Sequence, residues 1–179
     1  MIDIDPAPLK AIPAGASLRR RALSGFLSRA SAAARLRGTV SVLLTGDERI
    51  RALNREFRSQ DKATDILSFP AAPDFASTGL AGDLAVSLET AARQAAEQGH
   101  DLETEIKVLL LHGLLHLAGY DHETDSGEMA QREAALRKRL GLPLGLIERG
   151  AESSKAGLTR PARSHRLRRS AADTRLAKR

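Results

Sequence analysis

The chain contains no cysteine, no tryptophan, a single tyrosine and four phenylalanines in 179 residues. Each scarcity removes a class of explanation. Without thiols there are neither disulfides nor thiolate metal ligands, so any soft metal site must come from histidine. With so few rings, the chain lacks the aromatic stacking platform of RRM and OB modules. No apolar run approaches the ~18 residues of a membrane span, and Met1-Ile2-Asp3-Ile4-Asp5 has no apolar secretion core. These absences predict a soluble, cytoplasmic protein with no membrane partner.

Charge is abundant but unevenly placed. The formal net charge is +6, yet residues 151–179 hold nine Lys and Arg against two acids, so the tail carries +7 and the body −1. Beyond Glu148 the apolar periodicity stops among Gly, Ser, Pro and Arg. The expected organisation is therefore one domain over residues 1–148 and a basic, disordered extension over 149–179. Such a tail either holds nucleic-acid phosphates by counterion release or is a solvated appendage.

Three of the five histidines fall within eleven residues, His112-Gly113-Leu114-Leu115-His116-Leu117-Ala118-Gly119-Tyr120-Asp121-His122. A spacing of four is close to one helical turn, so His112 and His116 share a face. Gly119 can take the positive φ that ends a helix, which lets His122 return to the same point. Three neutral imidazoles leave one position open on a tetrahedral ion, as in catalytic rather than structural zinc. His100 and His165 are expected outside this group, at a helix end and in the tail. The spacing H-x-x-x-H-x-x-G-x-x-H matches metzincin peptidases except that the glutamate after the first histidine, their general base, is Gly113. Neither Met1 nor Met129 supplies a Met-turn, since Met129 falls inside a predicted helix.

Periodicity places the remaining elements. Residues 1–5 read as a short strand, followed by a proline-marked loop. A helix capped by Ser17 and ended by Gly38 buries Leu18, Ala22, Leu23, Phe26, Leu27, Ala30 and Ala34. Arg19, Arg20 and Arg29 largely avoid that stripe, as a solvated or a phosphate-contacting face. Thr39–Thr45 reads as a buried strand. Asp47 is expected to cap a helix to about Arg58, with Ile50, Leu53 and Phe57 inward and Asn54 and Arg58 on a shared polar side. Thr64–Pro70 and Gly82–Ser87 are further strands. A helix to Gly99 follows, and then one capped by Asp101 that buries Ile106, Leu109, Leu110, Gly113, Leu114 and Leu117. Asp125 or Ser126 starts a last helix ended by Gly141.

With the histidine motif, Leu53-Asn54-Arg55-Glu56-Phe57-Arg58, Thr64-Asp65-Ile66-Leu67-Ser68-Phe69-Pro70 and Gly82-Asp83 in order, the chain resembles the YbeY family of bacterial ribosomal RNA maturation factors. The resemblance covers roughly residues 1–145. It implies an α+β, zincin-like single domain with a small mixed sheet of about four strands and several helices. It further implies a zinc-dependent, single-strand-specific endoribonuclease acting in 3′-end maturation of the small-subunit ribosomal RNA and in ribosome quality control. Single-stranded and ribosomal RNA, with ribosome or small-subunit assembly proteins, are the implied partners; DNA is not expected. By motif, His112, His116 and His122 correspond to the ligands of one Zn2+ per chain, and Arg58 to the family's functionally required arginine.

The chemistry fits that implication. A metal ion with an open position can lower the pKa of a bound water or stabilise charge on phosphoryl oxygens. Arg58 offers two parallel hydrogen bonds to phosphate; from the residues alone a surface arginine on a helix face is the favoured reading, and the family resemblance reverses it. With few aromatics, any grip on RNA is expected from cations and the metal. The proton acceptor stays open: Asp65, Asp83 and Asp121 are the nearest carboxylates, each also readable as an imidazole partner or a cap, with the imidazole-holding role assigned to Asp121. The RNA 2′-hydroxyl can itself serve as nucleophile. Rival readings are a peptidase, disfavoured by Gly113, and a non-catalytic ribosome-assembly or RNA-binding factor with a structural zinc.

Overall fold

The computed structural model describes residues 1–6, 8, 18–72 and 78–143. Ser17, His165 and the basic extension lie outside them. The elements run β1 (Ile2–Ile4), α1 (Arg20–Ala34), β2 (Thr39–Thr45), α2 (Asp47–Arg58), β3 (Ile66–Pro70), β4 (Leu80–Ser87), α3 (Leu88–Gln98), α4 (Leu102–Leu117) and α5 (Glu128–Leu140). The sheet order is β1-β2-β4-β3, with β1, β2 and β4 parallel and β3 antiparallel to β4 at the edge. This is the expected α+β architecture. Among the described residues, no helix is long and apolar enough to cross a membrane.

Strand alternation gives the sheet two unequal faces. Val40, Val42, Leu44, Ile66, Leu84 and Val86 point to the main core, which α1, α3, α4 and α5 complete. Leu67 and Ala85 point the other way, where Ile50 of α2 covers them. The helix α4 is the centre of the larger core. Thirteen of its sixteen residues are buried, including Val108, Leu111 and Leu115 off the expected stripe, so it is enclosed by neighbours rather than half-exposed.

Gly82 brings β3 and α4 together. Its φ of 148° and its missing side chain let Leu117 and the Phe69 carbonyl approach; a Cβ would lie 2.8 Å from Leu117 Cδ2. The end of the histidine helix is thereby seated against the Pro70 end of the edge strand, since Gly82 is paired with Pro70.

Several helix ends differ from the sequence reading because distant side chains take over the capping. The cap position of α1 is Arg19, and its N–H is accepted by Glu103 of α4 at 3.3 Å while the same carboxylate binds the Arg19 guanidinium at 3.1 and 3.2 Å. That helix ends at left-handed Arg35, before Gly38. Asp47 is the first residue of α2 rather than its cap; Glu89 accepts its N–H at 2.6 Å. Its carboxylate instead accepts from Ser87, from the Thr90 hydroxyl at 2.7 Å and from Arg93 at 3.1 Å, tying α2 to α3. Asp101 caps α4 as expected, accepting from the Thr104 N–H at 2.6 Å. Gly127 occupies the cap position of α5, and Asp125 accepts the Gly127 and Met129 N–H groups, each at 2.8 Å.

Candidate metal centre

The last turn of α4 turns the chain back as the glycine spacing predicts. Gly119 adopts a φ of 89°, its N–H bonds the His116 carbonyl at 3.0 Å, and the Tyr120 N–H bonds the Leu115 carbonyl at 3.1 Å. This pair of bonds satisfies the terminal carbonyls while reversing the chain. His122 is thereby returned to the face carrying His112 and His116. One ring nitrogen from each of the three lies within 4.8 Å of the others, a group that can hold a metal ion.

The three environments differ. His112 is buried, His116 half-buried and His122 exposed. His112 Nδ1 meets Glu133 Oε1 at 3.0 Å, and its Nε2 lies 3.1 Å from His116 Nε2. With the proton on Nδ1, held by the carboxylate, the Nε2 lone pair faces the site. Two nitrogens bonded to one tetrahedral ion at ~2.0–2.1 Å stand ~3.3–3.4 Å apart, so the His112–His116 pair is already close to ligating geometry. His122 lies exposed on the turn, its ligating nitrogen within 4.8 Å of the other two. Burial, followed by the neighbouring His112 and His122 imidazoles, pushes His116 down to about 4, which keeps it neutral at pH 7, the form that ligates.

Glu133 is the residue that the sequence reading missed. Its signal was present in α5, where Met129, Glu133 and Leu136 are buried along one face. A carboxylate on an apolar stripe is rarely tolerated without a partner. The imidazole-holding role expected of Asp121 is not what the fold displays: its carboxylate accepts the Glu123 N–H at 3.1 Å and the Thr124 hydroxyl at 3.0 Å. Those bonds hold it below the usual carboxylate range and span the turn that carries His122. Asp65 likewise acts at a strand start, accepting the Ile66 N–H at 2.8 Å and the Gln94 amide at 3.0 Å. Asp83 is exposed on β4.

Gly113 is more than a missing glutamate. A Cβ there would stand 2.7 Å from Ile66 Cδ1, 2.8 Å from Leu84 Cδ2 and 3.2 Å from Ser68 Oγ. The sheet occupies the space a peptidase's general base would need, which removes the structural ground for that rival. His100 lies outside the group, between α3 and α4, with Nε2 at 3.0 Å from Glu105.

Arg58 is not gathered with the histidines. It is exposed at the end of α2, on the face of the sheet opposite α4. Asn54, expected on the same polar side, is buried and donates to the Lys62 carbonyl at 2.8 Å, anchoring the loop into β3. Phe57, expected inward, is 60% exposed.

Comparison with known proteins bears on this geometry. The family model described as endoribonuclease YbeY matches residues 14–141. The endoribonuclease YbeY of Koribacter versatilis (strain Ellin345) is 50% identical over 148 residues, covering 83% of this chain and 95% of the relative. That of Solibacter usitatus (strain Ellin6076) is 51% identical over 136 residues, covering 76% and 89%. A solution structure from Thermotoga maritima is similar in fold, with a TM-score of 0.51 at 24% identity over 93% of this chain and 100% of that one. Since the matched span contains the histidine turn, the edge strand and the helix supplying Glu133, and the relatives align over nearly their whole length, the chain belongs to the YbeY family of endoribonucleases.

Proposed function

We propose that this protein is a zinc-dependent, single-strand-specific endoribonuclease of the cytoplasm, acting in 3′-end maturation of small-subunit ribosomal RNA and in ribosome quality control. The observation that carries the reading is the convergence of three imidazoles, one of them held by a buried carboxylate, in a chain of the YbeY family. In this reading His112, His116 and His122 hold one Zn2+ per chain, and Glu133 fixes the tautomer and orientation of His112. Bound zinc would supply Lewis-acid stabilisation of charge on the phosphoryl group. Arg58 neutralises non-bridging oxygens through its planar guanidinium.

The histidine helix and α2 flank the same edge strand, β3, so an RNA chain crossing that edge meets ligands on one side and Arg58 on the other. No carboxylate beyond Glu133 is bonded to the three imidazoles among the described residues, and Glu133 is engaged with His112. In this reading the substrate 2′-hydroxyl serves as the nucleophile, losing its proton to solvent and bonding to phosphorus as the bond to the 5′-oxygen breaks, so that the products are a 2′,3′-cyclic phosphate and a 5′-hydroxyl that takes its proton from solvent. Residues 149–179 act as a basic extension that strengthens contact with RNA or ribosome-assembly proteins; removing it should lower the salt slope of binding by ~0.7 per lost phosphate contact while sparing turnover.

The deciding experiment pairs elemental analysis of the purified protein with cleavage of a short RNA, presented single-stranded and as a duplex. One zinc per chain and cleavage of the single strand alone, abolished by chelation and restored by zinc, are the expected results. Equal cleavage of the duplex removes the strand specificity. Unfolding on chelation supports the structural-zinc rival, because a catalytic ion chiefly takes activity with it.

A further inference from the structure

Among the described residues the exposed large apolar side chains are Met1, 88% exposed at the start of the chain, and Phe57, 60% exposed in the last turn of α2. They belong to opposite regions of the sheet. Met1 adjoins β1 at one edge, whereas Phe57 packs edge-to-face on Phe69 of β3 at the other, with centroids 5.2 Å apart and planes at 66°. The edge-to-face contact orients the Phe57 ring against Phe69 and leaves the residue 60% exposed. The ring is solitary, so it does not form the broad apolar patch that a stable protein interface needs.

Its surroundings are cationic. Arg55 and Arg58 share the last turn of α2 and are exposed. Arg55 stands 3.6 Å from Asp61, whose carboxylate is already engaged by Arg51 at 2.8 and 2.7 Å. On the described residues, Arg58 pairs with no carboxylate. An exposed ring in the same helical turn as two arginines, beside the edge strand β3, brings together the two elements that hold single-stranded nucleic acid, a face for a base and cations for the backbone, though as one ring rather than the several of RRM and OB modules.

We propose that Phe57 is the platform on which one base of the RNA substrate stacks, with Arg55 and Arg58 holding the neighbouring phosphates, so that the chain is laid over β3 toward the histidine turn. The proposal rests on the ribonuclease reading and adds a physical basis for strand selection. Bases in a duplex are already stacked on one another and cannot offer a face to Phe57. Because every base has a π-face, the contact tolerates sequence.

The absence of tryptophan makes a direct test possible. In the full-length Phe57→Trp variant the only indole sits at the proposed contact. Titration with a single-stranded 2′-O-methyl oligoribonucleotide should quench its emission, and an abasic oligomer of equal length should bind about five- to a hundredfold more weakly without quenching. Phe57→Leu, checked for an unchanged Tm, should raise KM for single-stranded RNA by a similar factor and leave kcat near that of the parent. Binding of the labelled oligomer without a change in indole emission, or a Phe57→Leu protein with unaltered KM, overturns the stacking role and leaves the ribonuclease reading standing. Failure of the unaltered protein to bind or cut RNA would sink both readings.

Discussion

The two faces of the sheet are built to different standards. On the α4 face a continuous core encloses a helix that is buried nearly all round, and the histidine turn is anchored to that helix and to Glu133 of α5. On the α2 face the buried cluster is Ile50, Leu67 and Ala85, and polar ties supply much of the rest: Asn54 to Lys62, Arg51 to Asp61, Asp47 to Ser87 and Thr90. The difference separates two tasks. Under the proposed function, His112 and His116 as metal ligands gain from the packing that holds their rings, while His122 sits on the exposed turn and contacts to a mobile polymer need accessible cations and an open ring. Side chains that function on the thin face should thus be replaceable without harm to the fold, and those on the thick face should not.

The largest break in that contrast should come from Glu133→Gln. It keeps the size of the side chain but weakens the hold on His112, and zinc affinity should fall by ~10–100-fold. Isothermal titration of the apo-protein with zinc measures it; unchanged affinity would mean that the carboxylate does not orient the ring. Gly113→Ala should be next. The added methyl meets Ile66 and Leu84 at under 3 Å, and overpacking of this kind costs ~1–3 kcal/mol of stability. Denaturant unfolding of the variant, alone and with Ile66→Val, should show loss and partial recovery.

On the thin face, Arg58→Ala should leave stability within ~0.5 kcal/mol and zinc content intact, as for an exposed position without structural partners. Cleavage should nevertheless drop by about tenfold or more, the worth of one charged hydrogen bond to phosphate. Equal turnover would remove Arg58 from the reaction.

The smallest effect concerns acid stability. Burial alone would raise the pKa of Glu103, but hydrogen bonds from Arg19 and Lys107 outweigh it and lower it from the ordinary 4.5 to about 2. A carboxylate with a depressed folded pKa stabilises the native state above the unfolded value and loses that contribution as the pH falls from 4.5 toward 2. Because Arg19 is largely exposed, solvent screens the pair and the contribution is modest. Thermal unfolding of Glu103→Gln should therefore show a flatter decline of Tm over that pH window than the parent protein.

The order of strands and helices was readable because local pattern and final structure agree. Thr39–Thr45 alternates as a strand and forms β2, and Asp101 caps α4 through Thr104. The histidine turn was readable for the same reason, since a spacing of four and a following glycine dictate their geometry within a dozen residues. Phe57 shows where pattern fails. Its helical phase puts it near Ile50 and Leu53, but the sheet beneath ends at its edge strand and leaves the ring uncovered.

The sequence by itself determined what the chain can do locally: strands that alternate, helices that end at glycine, three imidazoles on one helix end and the turn that follows it. Only the tertiary structure decided what each local feature meets. Glu133 reaches His112 across 21 positions, Glu103 caps Arg19 across 84, and Gly113 lies under Ile66 and Leu84 of two different strands. Periodicity encodes which face of an element is buried, but the identity of the partner depends on how the elements pack, and that follows from filling one core with all of them at once.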